Sequence, residues 1–194
     1  AAQVGVLRAD GDGLLVAVVA YHLGRRPGFA FDGDRFLARD FVAQLLGAAV
    51  LDQFAVGIDL LPPRGLACAE VIDAAKSLAE HRVDVVTILD APRAGARMSA
   101  LSLAVLVQQQ ARVETLLQYS CRDKNLLGIQ SDLLGAYAMG LRNLLGITGD
   151  VRTLGDIPDA TAVFDVDSIG LTNVIYRLNH ALDIGGQSNG EATA

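Results

Sequence analysis

Three aspartates stand at or near the ends of apolar stretches, where carboxylates often take part in ligand chemistry. Asp59 interrupts one apolar run near its end, Asp90 follows a β-branched run, and Asp150 ends the tripeptide Thr148-Gly149-Asp150. If these runs are parallel strands, their carboxyl ends bring the carboxylates to one face, where the active sites of α/β barrels lie. Aspartate also caps the first turn of a helix, and for Asp90, which precedes Ala-Pro, capping explains the residue equally well.

The stretch 114–150 predicts the elements that position Asp150. An apolar run from Thr115 to Tyr119, bounded by polar residues, indicates a buried strand. Apolar residues then recur at the three- and four-residue spacing of one helix face: Leu126, Ile129, Leu133, Tyr137 and Leu141. A second apolar strand, 143–147, leads into the Thr-Gly-Asp. Strand, helix and strand at this length predict a βαβ unit with parallel strands and a right-handed crossover.

The same alternation continues on both sides of that unit. Strands are predicted from Phe54 to Leu61 and from Val83 to Leu89, with helices from Ala69 to His81 and from Met98 to Gln110. After the Thr-Gly-Asp, an amphipathic helix is predicted from about Ala162 to Leu182, followed by an irregular tail. Strands that alternate with helices in this way indicate an α/β protein with a parallel sheet.

The first 50 residues are less regular. Residues 3–8 and 14–23 predict two strands around the turn signal at 10–13, and residues 35–50 have a helical pattern. The run 14–23 is apolar but too short to span a bilayer. No secretory signal is expected, since acidic residues at 10 and 12 precede any apolar stretch.

Composition narrows the class of protein further. Apolar residues make up 52% of the chain and charged residues 20%, which predicts a packed globular protein. The net charge of −6, without a run of like charges, argues against binding to nucleic acid or to an anionic membrane, because both need a basic patch. Cys68 and Cys121 are distant in sequence, so we expect no disulfide framework and a cytoplasmic location. The three histidines are dispersed, and no metal site is predicted.

Four motifs occur in order and carry a family resemblance: SCRDKN at 120–125, QSDLLGA at 130–136, GLRN at 140–143 and TGD at 148–150. Together they resemble the methylenetetrahydrofolate reductase family. The likeness is closest to the reductase module that is fused to homocysteine methyltransferases in some bacteria. It runs from about Phe54 to about Gly190 and does not include residues 1 to about 50.

The resemblance bears on the architecture. The residues alone leave a doubly wound sheet and a (β/α)8 barrel open, although no Gly-x-Gly-x-x-Gly turn favours a dinucleotide fold. The resemblance implies the α/β TIM-barrel type, (β/α)8. Because such a barrel takes about 250 residues, residues 51–194 would be its N-terminal part with about four βα units, and residues 1–50 an extension or linker. The first and fourth strands would then have open edges, so we expect an oligomer, or a further chain or domain, to complete the barrel, although the two predicted N-terminal strands could cover one edge.

The resemblance also implies an activity. Members of the family reduce 5,10-methylenetetrahydrofolate to 5-methyltetrahydrofolate with FAD as cofactor, and NAD(P)H is the possible electron donor, within one-carbon metabolism and methionine biosynthesis. Asp59 matches the glutamate that acts as general acid toward the folate substrate, and is one methylene shorter. Asp150 matches a carboxylate beside the flavin that tunes its reduction.

Further positions match flavin contacts in the family. Gln118 stands where a histidine is usual; it can hydrogen-bond a flavin but cannot become cationic. Thr148 and Gly149 precede the flavin-side carboxylate, and the glycine lets the backbone approach a ligand. Phe164 and Asp167 match a segment that contacts the flavin in relatives, although a phenylalanine on an amphipathic helix also suits a core.

The shortened carboxylate at Asp59 and the glutamine at position 118 keep a second hypothesis open. In it, the chain is a divergent, non-catalytic module with a partial barrel that binds flavin or folate or serves in assembly.

Overall fold

The computed structural model describes residues 57–81, 83, 85–150 and 155–193, together with the backbone of two N-terminal strands. The elements, in chain order, are β1 (Val4–Leu7), β2 (Leu15–Val19), β3 (Gly57–Leu60), α1 (Ala69–Glu80), β4 (Val85–Ile88), a short 3-10 turn (Pro92–Ala94), α2 (Ala100–Ala111), β5 (Thr115–Ser120), α3 (Leu126–Ala138), β6 (Asn143–Ile147) and α4 (Ser168–Asn179). The helix predicted over 35–50 lies outside the described residues. None of the helices within them is long and apolar enough to cross a bilayer.

Four strands, β3 to β6, are parallel and lie side by side in their chain order. The helices that follow them also contact one another in order, α1 with α2, α2 with α3 and α3 with α4. Right-handed crossovers that always step in one direction put every helix on the same face of the sheet. A doubly wound sheet would instead reverse its order at a switch point. The prediction of α/β units of the TIM-barrel type is therefore confirmed.

The N-terminal strands extend the sheet beyond β6. β2 runs parallel to β6, with Leu15 opposite Asn143 and Val18 opposite Gly146, and β1 pairs antiparallel with β2. The two strands predicted for this region are thus confirmed. The fourth strand of the βα series has no open edge on that side, because β2 supplies hydrogen-bond partners to the backbone of β6; the prediction that an N-terminal strand could cover one edge is thus confirmed.

The core lies between the parallel strands and the helices. Its strand side chains are Val86, Ile88, Leu117, Tyr119 and Leu144, and its helix side chains include Leu103, Val107, Ile129, Leu133, Leu171 and Ile175. Alternation along each strand sends the remaining side chains to the opposite face. Thr87, Leu116, Gln118 and Leu145 belong to that second face, which is the interior face in a barrel.

Several predicted boundaries shift for local reasons. α3 ends at Ala138 rather than near Leu141, since Gly140 takes φ +95° and turns the chain out of the helix. α4 begins at Ser168, because the Asp167 carboxylate accepts a hydrogen bond from the Gly170 N–H and caps it there. The prediction that Phe164 belongs to this helix is therefore wrong, and the residue lies in the preceding loop.

The core predicts a difference between two leucines of α3. Leu133 is 1% exposed, whereas Leu127, on the same helix, is 75% exposed. Leu133→Ala should lower the free energy of unfolding by about 2–5 kcal/mol, because it leaves a cavity between helix and sheet. Leu127→Ala should change it by less than about 0.5 kcal/mol. Urea unfolding measures both, and equal effects would contradict this assignment of the buried face.

Candidate functional site

The carboxyl ends of β4 and β5 are tied together by Asp90. Its backbone N–H donates to Gln118 Oε1 at 3.0 Å, and its Oδ2 accepts from the Ser120 N–H at 2.9 Å. α2 has its own N-cap, the Ser99 hydroxyl, which accepts from the Ser102 N–H. Asp90 is therefore not the cap of this helix; it connects the ends of β4 and β5, and its role in ligand chemistry stays a prediction.

The end of β6 lies directly against the end of β5. Gly149 has φ +99°, and a Cβ at this position would lie 2.3 Å from Ser120 Oγ and 2.8 Å from Arg122 Cβ. Glycine is therefore needed here both for its backbone conformation and for space. The approach to a ligand expected at Gly149 stays a prediction; the neighbour seen in the structure is the end of β5.

Asp150 follows this glycine and is held by the loop after β4. Its Oδ2 accepts a 2.7 Å hydrogen bond from the Arg93 N–H. In that loop Ala91, Arg93 and Ala94 all have positive φ, at 44°, 57° and 52°. Non-glycine residues in this region typically cost about 1–3 kcal/mol each and cluster at functional sites. The loop is thus held in an unfavourable conformation in which it presents a backbone donor to Asp150.

A buried arginine joins the same three strand ends. The Arg122 side chain is 4% exposed, and its Nε donates to Asp123 Oδ2 at 2.7 Å. Nη2 donates to Ala91 O at 3.3 Å, and Nη1 lies 3.5 Å from Asp150 O. No role was predicted for this residue, although it belongs to the motif at 120–125.

Lys124, from the same motif, forms a second charged group beside Asp90. Its Nζ lies 3.7 Å from Asp90 Oδ2, 3.8 Å from Asp132 Oδ2 and 4.1 Å from the centre of the Tyr119 ring. The Tyr119 hydroxyl donates to Asp132 Oδ2 at 2.9 Å. Burial, followed by the nearby carboxylates, raises the pKa of Tyr119, so the phenol stays protonated.

Asp59 lies apart from this group. It is exposed and stands one residue before the end of β3, on the face opposite Leu60, which packs on the helix-side core. β3 and β6 are separated by two strands, so Asp59 and Asp150 lie three strand spacings of about 4.8 Å apart along the sheet. The structure brings Asp90, Gln118 and Asp150 to neighbouring strand ends and leaves Asp59 at the edge of the parallel series.

Three further predicted site residues lie around the start of α4. Thr148 Oγ1 accepts from the Ser168 N–H at 3.1 Å, and Asp167 caps the helix, so both side chains support its first turn. Phe164 is 43% exposed and forms an isolated parallel bridge with Lys124. It is not a core residue.

The loop after β6 is also attached to the loops after β3 and β4. Asp156 forms an ion pair with Arg64 at 2.9 Å and accepts from the Ala96 N–H at 3.2 Å. The hydrogen bond from Arg64 lowers the pKa of this exposed carboxyl. A Cβ at Gly155 would lie 2.2 Å from Ala94 O. Gly155 and Asp156 therefore connect this loop to the loops after β3 and β4.

Within the described part of the chain, no group of three or more His, Cys, Asp or Glu side chains could hold a metal ion. Cys68 and Cys121 are both free. Burial raises the pKa of the Cys121 thiol to about 12, so it is protonated at neutral pH and a poor nucleophile.

The family model for methylenetetrahydrofolate reductase matches residues 46–174, about two thirds of the chain. The chain belongs to the methylenetetrahydrofolate reductase family. The matched segment contains β3 to β6 and every residue of the site described above, and it supports a reductase-like function. None of the curated proteins matches the chain. The family match does not distinguish the fused module from other members, so that part of the resemblance stays a prediction.

The close packing of Gly149 against Ser120 and Arg122 predicts that any larger residue at this position destabilises the fold. Gly149→Ala should lower the free energy of unfolding by about 2 kcal/mol or more, because the new methyl group adds backbone strain and meets Ser120 and Arg122. Gly135→Ala is the matched control: it lies within α3 with nothing within 4 Å of a new Cβ, and should stabilise by up to about 1 kcal/mol. Chemical denaturation gives both values. Small, similar changes would show that the strand ends do not constrain each other.

Proposed function

We propose that this chain catalyses the flavin-dependent reduction of 5,10-methylenetetrahydrofolate to 5-methyltetrahydrofolate, with FAD as cofactor and NAD(P)H as electron donor. The observation that carries the proposal is the arrangement of Asp150. Its carboxylate is oriented by the Arg93 N–H at the end of a parallel strand, within the segment that matches the reductase family. Carboxyl ends of parallel strands are where ligands bind in α/β barrels.

The polar residues at these strand ends fit the hydrogen-bonding groups of a flavin ring. Gln118 accepts the Asp90 N–H with its oxygen, and its amide nitrogen has two N–H donors that this contact does not use. Asp150 offers carboxylate oxygens as acceptors, and the half-buried setting strengthens such contacts. A flavin ring has both carbonyl acceptors and an N–H donor. When bound, it would supply hydride transfer to the methylene carbon of the folate.

Asp59 is the proposed proton donor to the folate. Its carboxyl group is exposed on the face of the sheet opposite the helices, where a substrate bound on that face can reach it. Protonation requires hydrogen-bond distance. Because aspartate has one methylene fewer than glutamate, we expect proton transfer from this position to be slow.

The second candidate function is a non-catalytic flavin- or folate-binding or assembly module. Two observations favour it: Asp59 is separated from Asp150 by two intervening strands, and the Gln118 oxygen is engaged with Asp90. A module of this kind would bind flavin without turning over folate.

The proposed activity also suggests a location, a metabolic role and binding partners for the protein. We propose a cytoplasmic protein of one-carbon metabolism and methionine biosynthesis that binds a folate and neither nucleic acid nor membranes. Net charge −6 supports the last point. We also propose a further chain, domain or subunit beside the parallel series, at the β3 edge.

Flavin binding tests the proposal directly. Asp150→Ala should raise the Kd for FAD by about tenfold or more and shift the flavin reduction potential, because it removes an oriented charge next to the ring. Quenching of FAD fluorescence measures the first and a spectroscopic titration the second. Asp73→Ala, which removes an exposed aspartate of α1 paired with Lys76, should change neither. A wild-type protein that quenches no FAD fluorescence would reject flavin dependence.

The kinetics of Asp59 variants distinguish the two candidate functions. Asp59→Asn should leave reduction of the flavin by NAD(P)H nearly unchanged and slow folate reduction by about 10²-fold or more, since only the second half-reaction needs the proton. Asp59→Glu should raise the folate rate if reach is the limitation. Stopped-flow measurements resolve the two half-reactions. Equal loss of both would instead indicate a structural role, and flavin binding without any folate reduction in the wild type would favour the module.

A further inference from the structure

We propose that Arg122 is a positioning residue for Asp150, which it fixes by holding the two backbone segments that orient the carboxylate. The inference rests on the proposed function, because Asp150 is its flavin-side carboxylate. The hydrogen bonds of the Arg122 side chain go to the Asp123 carboxylate and to the carbonyl oxygens of Ala91 and Asp150, so its effect on the Asp150 carboxylate passes through the backbone.

The first observation is the direction of the guanidinium group. The side chain leaves the end of β5 and is buried, with only 4% of its surface exposed. Its Nη2 reaches Ala91 O in the loop after β4, and its Nη1 reaches toward Asp150 O after β6. A planar guanidinium can hold two acceptors in a set relative geometry, whereas an ammonium group cannot.

The second observation is that the contacts close into a ring. Arg122 holds Ala91 O, the same loop continues to the Arg93 N–H, and that N–H binds Asp150 Oδ2 at 2.7 Å. Asp150 O returns to the guanidinium. The loop residues are in the left-handed region, so the backbone alone does not favour this shape. We therefore assign to Arg122 the contacts that keep the loop in the conformation that presents the Arg93 N–H.

The third observation concerns charge. The carboxylate that balances Arg122 is Asp123, whose side chain is 51% exposed and therefore partly screened by solvent. The buried guanidinium lies 3.5 Å from the Asp150 carbonyl oxygen. A buried positive charge there would favour the reduced, more negative form of a bound flavin. Loss of Arg122 should thus lower the flavin potential as well as release the loop.

Two variants of Arg122 separate the effect of its charge from the effect of its two hydrogen bonds to carbonyl oxygens. Arg122→Met removes both the charge and the donors, whereas Arg122→Lys keeps the charge but cannot span the two carbonyls. Arg142→Met is the matched control. Arg142 also donates to two backbone carbonyls, Tyr137 O and Leu141 O, but it precedes β6 and so lies at the other end of that strand.

The first readout is made without any flavin. In ¹H–¹⁵N spectra of the ligand-free protein, the Arg93 amide should move in Asp150→Ala, which removes its acceptor. Arg122→Met and Arg122→Lys should move it in the same direction, and Arg142→Met should leave it in place. An unmoved Arg93 amide in both Arg122 variants would overturn the inference. If Arg122→Met does not fold, Arg122→Lys decides alone.

The second readout is made with FAD. Arg122→Met should weaken FAD binding by about tenfold and lower the flavin potential, while Arg122→Lys should weaken binding yet keep the potential nearer to wild type. Unchanged affinity and potential in both variants would overturn the role toward flavin. If the wild type binds no FAD, the proposed function fails, and the Arg93 amide still decides whether Arg122 positions Asp150.

Discussion

The carboxyl ends of β5 and β6 approach so closely that one added carbon at position 149 would meet Ser120 Oγ at 2.3 Å. The rest of the site depends on this approach. It brings the backbone of Asp150 within reach of Arg122, which lies two residues after the end of β5, and it places the Asp150 carboxylate next to the loop after β4. Asp90 completes the connection by accepting the Ser120 N–H. The carboxyl ends of three parallel strands are thus connected by hydrogen bonds. A ligand bound at these strand ends would meet groups that are already oriented.

The elements with clear periodicity were predictable from sequence, because local signals determine them. The strand and helix pattern of 114–150 was recovered nearly residue by residue. Gly149 was expected to let the backbone approach a ligand, whereas the neighbour seen in the structure is the end of β5. Boundaries failed where a single cap decides them, as at Asp167 before α4. Arg122 was not predictable. An arginine in a polar loop is usually exposed, and its burial arises only when segments some 30 residues apart along the chain converge on it.

The pairing of the strands was likewise not predictable from the sequence. Two N-terminal strands could be expected from their apolar runs, but their pairing joins residues more than 120 positions apart, Leu15 with Asn143. No periodicity within either segment specifies that partner. Similarly, Asp59 could be matched to a family position from the sequence, whereas its distance from Asp150 depends on strand order, which becomes known only when the sheet is assembled.

The position of β2 has a consequence for the closed barrel. In a (β/α)8 barrel each strand pairs with the next one along the chain, so the edge of β6 belongs to the fifth strand of the series. Here β2 runs parallel along that same edge. One edge of a strand pairs with one neighbour at a time, so β2 and a fifth strand are mutually exclusive occupants. A (β/α)8 barrel that adds its fifth strand at this edge would therefore require strand exchange, because β2 would have to leave β6 before the next βα unit could take its place.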